Sequence, residues 1–521
     1  MLFSSYPFLF AFLPFTLIAF YLVARINRSS GMIVLTLVSL GFYAVWRPAQ
    51  TWVLLASILI NYVLGGQIQR TRLDRPRHAK LLLWLGLLID LGALFYFKYT
   101  MFFVASINDA AGTDIVLQTI ILPLGISFFT FQKIAYLVDS ARGEATATGF
   151  VEFSLFASFF PQLIAGPIAH YGEIIPQFRN RLFGRLQPRN LMIGLTIFAI
   201  GLFKKMVIAD AVATYLIPMY RAAAGHGAVD MRTGWLIAVS WTLQVYFDFS
   251  GYSDMAIGLA RMFGVQLPLN FHSPLRAASV IDYWRRWHMS LQRFILTYVY
   301  QPLALPMNRL VAQHRLIGWP AFALAIALPA FVTFFLLGVW HGAGWGFVVY
   351  GVLNAVYVTV NEAWRERRKR LKRALQKQKL PVPQLNTGDR VFYHALTLAC
   401  VFTGNMFFRA ETLRDGIAIF RGMWALNGVG TSVFYAPFAD PALFVLLGVA
   451  VAIVTFAPNT QQIMQRYRPA VNWSKWRSVG QPMFTWRWRP TLPKLAYAGI
   501  TLSLGIIFIE RGSKIFVYFN F

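Results

Sequence analysis

The sequence predicts an all-α polytopic membrane protein. Three observations carry that reading. Apolar residues make up 57% of the 521 positions and charged residues 13%, about half the charged share of a soluble globular domain. The apolar residues fall into runs of membrane-crossing size, for which about 20 residues are needed. The cations, 48 Lys and Arg against 20 Asp and Glu for a net charge of +28, sit in short clusters between those runs. A dispersed basic surface would suggest nucleic acid; clusters flanking apolar runs mark membrane topology and lipid contact instead. An ordinary soluble enzyme and a disordered chain are both excluded. The single cysteine, Cys400, lies inside an apolar run and excludes an intramolecular disulfide or a multi-Cys metal site.

The spans follow in order. Met1–Phe10 has no Lys or Arg, so the basic start of a secretory leader is missing and Tyr6–Ala24 reads as an uncleaved first span. Gly31–Trp46, Thr51–Gly66, Leu81–Phe97 and Val116–Val138 come next, then Asn190–Phe203 and Gly234–Tyr246. Pro320–Val339, Gly344–Val360, Val391–Phe408, Ala442–Phe456 and Lys494–Ile509 complete the series. Several are short, which predicts tilted, broken or re-entrant helices. Four basic loops, around 70–80, 179–189, 365–379 and 466–489, are assigned to the cytoplasm by the positive-inside rule. The N-terminus, Met101–Val116 and Arg409–Asp440 then face the other side. Arg365–Lys379 reads as a charged cytoplasmic helix, a topology anchor more than a partner site. Neither tandem nor inverted repeats are visible. The chain reads as one membrane domain: N-terminal spans to 122, a core over 123–360, a basic segment over 361–390 and C-terminal spans from 391.

Within the core, polar groups interrupt the apolar pattern. An ionised side chain at the bilayer centre costs about 2.5–3.5 kcal/mol on insertion scales, so such groups face a cavity or a partner. Ser158–Pro167 holds two prolines and Gly166; it predicts a re-entrant turn over a simple kink. Phe247–Met255 carries Asp248 and Asp254 among hydroxyls. Their spacing puts them on different helical faces, which disfavours a shared metal. Bonding to a broken backbone, or pairing with Arg285 or Arg286, is the favoured role. In Asp282–Ser290, a helix would make Trp284 and His288 neighbours at i, i+4; interfacial anchoring and a site role are balanced there. His341 follows Trp340 and precedes glycines in an apolar run. Neutral imidazole is the cheapest base to keep in a low dielectric, because desolvation disfavours the charged form. General base is therefore preferred to core histidine. His170, His226, His272, His288, His314 and His341 are too scattered for a zinc assignment, and no nucleophile elbow or phosphate loop is present.

Five ordered motifs add a resemblance. Pro123-Leu-Gly-Ile-Ser-Phe128, Leu163-Ile-Ala-Gly-Pro167, Tyr246 to Gly258, Trp284-Arg-Arg-Trp-His288 and Trp340-His341-Gly342 resemble the membrane-bound O-acyltransferase family. The likeness is to its bacterial branch, which includes alginate O-acetyltransferase and the D-alanyl transfer protein of teichoic acids. The branch's Leu-Gly-Gly-Asn-Arg motif survives here only as Asn308-Arg309. The resemblance implies a ring of tilted helices round a thin core with re-entrant helices, in the bacterial inner membrane. It matches the family's signature histidine to His341 and the branch's second histidine to His288. Trp340, Trp284, Arg285, Arg286, Trp287, Asp248, Asp254 and Asn308 become substrate-binding or supporting residues. The implied reaction is acetyl transfer from acetyl-coenzyme A, a substrate rather than a bound cofactor, to a polysaccharide hydroxyl across the membrane. An alginate-like exopolysaccharide is the favoured acceptor, reached directly or through a periplasmic acetyltransferase partner. Peptidoglycan O-acetylation and teichoic-acid D-alanylation are the alternatives, and a polysaccharide transporter is the reading from another class. Backbone N–H groups near Gly166 or Gly342 are candidate oxyanion donors.

Overall fold

The computed structural model of the chain describes residues 2–46, 48–226, 229–429 and 440–510. Residues 430–439 of the expected far-side loop lie outside them. The described residues are helices and connections, without a named strand. Among the described residues, seven helices are long and apolar enough to cross a membrane: Arg28–Trp46, Pro48–Thr71, Pro76–Ala111, Pro188–Arg221, Gly318–His341, Thr387–Arg409 and Leu492–Glu510. Phe8–Ala24 and Pro441–Phe456 are shorter apolar helices. The protein is thus an all-α polytopic membrane protein.

Three expected spans need correction. Val116–Val138 is not one helix: residues 113–123 are extended or irregular, and the helix is Ile126–Arg142. Pro123 cannot donate to a helical ladder, and Gly125 caps the helix start with φ +70°, which suits glycine. Gly234–Tyr246 is the first half of a helix that runs unbroken from Met231 to Met262. Gly344–Val360 continues into the basic run as one helix, Trp345–Lys377. The charged segment is helical, as its sequence predicts, and it extends a span rather than standing alone. Its Glu362–Arg365 and Glu366–Arg370 pairs are spaced for helix contact, and Arg370 also donates to the Gly318 carbonyl at 2.8 Å.

The inner packing rests on small residues, as it must where lipid supplies no hydrophobic drive between helices. Gly194 and Gly201 lie two turns apart on the Pro188–Phe203 helix. They meet Gly258 and Gly251 of Met231–Met262 in antiparallel register. A Cβ at Gly251 would sit 2.8 Å from the Gly201 carbonyl oxygen, and one at Gly258 would sit 2.6 Å from that of Gly194. The same device closes the hairpin carrying His341: a Cβ on Gly338 would collide with the Gly351 backbone.

The break at Ser158–Pro167 is real. One helix ends at Ser158, a single turn spans Phe160–Leu163, and residues 164–170 are not helical before Tyr171–Phe178. This backbone is buried, so its polar groups need protein partners. Ser39 Oγ accepts from Phe160 N at 3.2 Å and Ser290 Oγ from Ile168 N at 2.9 Å.

Contacts sort the loops to two ends. Arg28 donates to the Arg179 carbonyl, Gln177 to that of Gln266, and Gln266 to that of Arg468. The basic segments around 179–189 and 466–489 therefore share the end where the Met231–Met262 helix finishes. At the start of that helix, Trp235 donates to the Met423 carbonyl at 2.7 Å. Thirty-two residues at 1.5 Å each separate the two ends by about 48 Å.

Candidate functional site

His341 is the last residue of the Gly318–His341 span. Its Nδ1 lies 2.7 Å from the Leu337 carbonyl oxygen one turn back. A carbonyl only accepts, so Nδ1 carries the proton and Nε2 is the basic nitrogen. The ring is 3% exposed and packs against protein, with ring centroids 5.0 Å from Trp340, 5.2 Å from Phe408 and 5.8 Å from Tyr350.

His288 reaches the same region from a different part of the fold. The expected helix through Trp284 and His288 is corrected: Val280–Arg286 ends at Arg286, and Trp287 is extended. His288 is left-handed at φ +44°, and a new helix, Met289–Ile295, begins. Trp284 turns away to Asn354, 3.3 Å from its Nε1, and to Phe334. The strained His288 backbone is held by Asn270, whose Oδ1 lies 3.0 Å from His288 Nδ1 and accepts from Ser290 Oγ at 2.9 Å. Asn270 Nδ2 donates to Ser253 Oγ at 2.9 Å. The Ser290 backbone N–H, which can only donate, also meets Oδ1 at 3.4 Å and fixes the amide's orientation, so His288 Nδ1 donates and its Nε2 is again the basic nitrogen. Positive φ at a non-glycine costs of order 1–3 kcal/mol and persists where the surroundings over-determine it.

One aromatic ring joins the two sites. Phe128 stacks near His288 at 6.3 Å and meets Trp340 edge-on at 6.0 Å. Phe131, on the same helix, stacks on Trp340 at 4.9 Å. The two imidazoles are within electrostatic reach of each other. Lys98 completes the cluster from the Pro76–Ala111 helix: its Nζ donates to the Trp340 carbonyl at 2.6 Å and lies 3.3 Å from that of His341. These are carbonyls at a helix C-terminus, where a cation complements the dipole.

The other expected residues separate. Trp287 is buried on Tyr283 and Phe271. Arg286 pairs with Asp282 at 2.9 Å, while Arg285 is exposed. Asn308 is exposed on the Gln301–Gln313 helix, outside the buried cluster. Asp248 and Asp254 pair with neither Arg285 nor Arg286, and their backbone is unbroken, contrary to expectation. Lys205 bonds Asp248 and Asp210, each at 2.6 Å, and Lys204 bonds Asp254 at 2.7 Å. Thr460 and Gln461 also donate to Asp254. Both lysines lie on a π-turn, Lys204–Ala209. Ion pairs, rather than a helix break, make these acids tolerable at depth. Lys98 and Asn270 were missed. Lys98 reads in sequence as an anchor at the end of an apolar run, and nothing local marks Asn270. Among the described residues no three His, Cys, Asp or Glu side chains converge as a metal group.

Two buried imidazoles on unrelated segments, both with Nε2 basic, suit proton transfer to and from a bound hydroxyl. The profile of MBOAT, the membrane-bound O-acyltransferase family, matches residues 78–381, which include both rings. The chain belongs to that family. A peptidoglycan O-acetyltransferase of Helicobacter pylori is 32% identical over 100% of this chain and 98% of its own length. A Pseudomonas aeruginosa protein named "probable alginate O-acetylase" is 34% identical over 82% of this chain and 75% of its own. A teichoic acid D-alanyltransferase of Bacillus subtilis is 28% identical over 47% of this chain and 61% of its own. The protein is a membrane-bound O-acyltransferase with several spans, and the transporter reading is set aside.

Proposed function

We propose that this acyltransferase moves an acetyl group from acetyl-coenzyme A to a hydroxyl of an extracytoplasmic polysaccharide. It works in the bacterial inner membrane, directly or with a periplasmic partner. Two buried imidazoles carry the reading: His288 beside Phe128, and His341 beside the Trp340 ring that Phe128 also meets. His341 Nε2 takes the acceptor's hydroxyl proton as the C–O bond forms. The C–S bond of the thioester breaks, and the same proton passes to the leaving thiolate. His288 orients the donor side. Trp340 and Phe131 wall off water, and Lys98 holds the carbonyl end of the helix that presents His341.

The relative that spans the whole chain is named a peptidoglycan O-acetyltransferase, and this weights the acceptor toward peptidoglycan. Several relatives named for alginate keep that polymer as the second candidate. The test is purified protein in liposomes with acetyl-labelled coenzyme, offered glycan-strand fragments or mannuronate oligomers. His341→Ala is expected to remove the roughly 10²–10⁴-fold contributed by positioned proton transfer. Transfer at the wild-type rate by a folded His341→Ala protein would overturn the assignment.

A further inference from the structure

A cavity of about 690 Å³ carries Arg466, Arg468, Arg477, Arg487 and Arg489 on its wall, with Trp473 beside them. The arginines are exposed to the aqueous end, while Trp473 is buried. Among the described residues none of the five is paired with a carboxylate. Five guanidinium groups facing one concavity repel each other until an anion arrives. Their planar forks match phosphate oxygens two at a time. The volume is that of a small-molecule site.

The cavity's place in the fold gives it meaning. Its wall residues Ala470 and Trp473 pack against Leu269 and Met289 in a cluster of their own. Leu269 precedes Asn270, and Met289 follows His288. A single layer of side chains therefore joins the arginine wall to the segment holding the second histidine. A basic loop serving only as a topology anchor needs to lie near headgroups; it has no reason to converge on a walled cavity against that segment. A second arginine-bearing cavity, beside Arg25, Arg28, Arg181 and Arg185, lacks such a neighbour among its lining residues.

We propose that the Arg466–Arg489 cavity binds an oligophosphate group, and that its source is the nucleotide end of the thioester donor. Its role in the reaction rests on the acetyltransferase reading above; the binding itself does not. The bound phosphates anchor the ligand at the aqueous end, and its thioester arm extends past Met289 toward His288.

The test uses the full-length protein in neutral detergent, with coenzyme A, dephospho-coenzyme A and adenosine as calorimetric probes. Vesicles of phosphatidylglycerol or phosphatidylcholine form a separate arm. Arg466→Gln with Arg487→Gln, and Arg477→Gln alone, alter exposed positions; a thermal melt checks that they fold. The expected result is coenzyme binding that weakens at least tenfold in the double variant and falls steeply with salt. Dephospho-coenzyme A should bind more weakly, and adenosine should not bind. Coenzyme affinity unchanged in folded variants overturns the proposal. So does loss of phosphatidylglycerol binding alone, which would make the cavity a lipid headgroup site. His341→Ala should bind the coenzyme like wild type. If it binds through the arginines yet still transfers acetyl normally, the catalytic reading falls and the subsite stands.

Discussion

Asn270→Leu tests how the second histidine is held. The replacement keeps approximate volume and removes every polar contact of the amide. Three side-chain groups lose it, His288 Nδ1 at 3.0 Å, Ser290 Oγ at 2.9 Å and Ser253 Oγ at 2.9 Å, and the Ser290 backbone N–H loses a longer contact at 3.4 Å. All three residues are 2% exposed or less, so water does not replace the amide. An orphaned buried group costs about 1–3 kcal/mol. The serines have relief, because Ser290 still accepts from Ile168 N and Ser253 can turn to its own helix. The low end applies to each, and the sum is about 3 kcal/mol. The catalytic effect is larger. The left-handed backbone at His288 loses its restraint, and misplacement by about 1 Å costs on the order of 100-fold. Melting in detergent reads the first quantity, and acetyl transfer in liposomes reads the second. Should the variant melt and turn over like wild type, Asn270 does not hold His288, and the imidazole geometry argued here is wrong.

Three further outcomes follow from the same contacts. Lys205→Met strands Asp210 and Asp248 without their shared cation, and should destabilise the fold by about 3–5 kcal/mol; a second change, Asp248→Asn, should recover part of the melting temperature. Lys98→Met removes the donor to the Trp340 and His341 carbonyls and should lower kcat about 10–100-fold at constant donor KM. Lys98→Arg should restore part of it, and a KM change alone would point to a donor-binding role instead. His272, in the connection after the Met231–Met262 helix, is pushed down to about 4 by burial, helped by Arg286 and Arg276. Its Nε2 donates to the Val479 carbonyl at 2.7 Å and its Nδ1 accepts from Asn459, so a second proton has no acceptor. The unfolded chain binds more protons between about 6.5 and 4, so stability is present above that window and is lost as pH falls through it. Melting temperatures over that range should drop for wild type and drop less for His272→Gln; equal slopes would refute the assignment.

Much of the architecture is legible in the chain because the bilayer punishes errors so heavily. Apolar runs, cation clusters and the Pro-Gly break at 158–167 each follow from the cost of exposed charge or unpaired backbone in hydrocarbon. Where the reading slipped, a local signal was underweighted or a contact was distant. Pro123 and Gly125 announce that no helix crosses Val116–Val138. Asp248 and Asp254 look like signs of a broken helix until Lys204 and Lys205, more than 40 residues earlier, are brought alongside.

Membrane residence, approximate spans, the broken segment and the two candidate histidines came from the order of residues alone, because each rests on local composition or on motif. What surrounds those candidate histidines came from packing. Lys98 meets carbonyls 242 and 243 positions away, and Thr460 reaches Asp254 across 206. A buried polar group must find a partner, but any of several distant ones satisfies that demand equally in sequence. Only the close approach of helices, set here by glycine against glycine, decides which partner arrives.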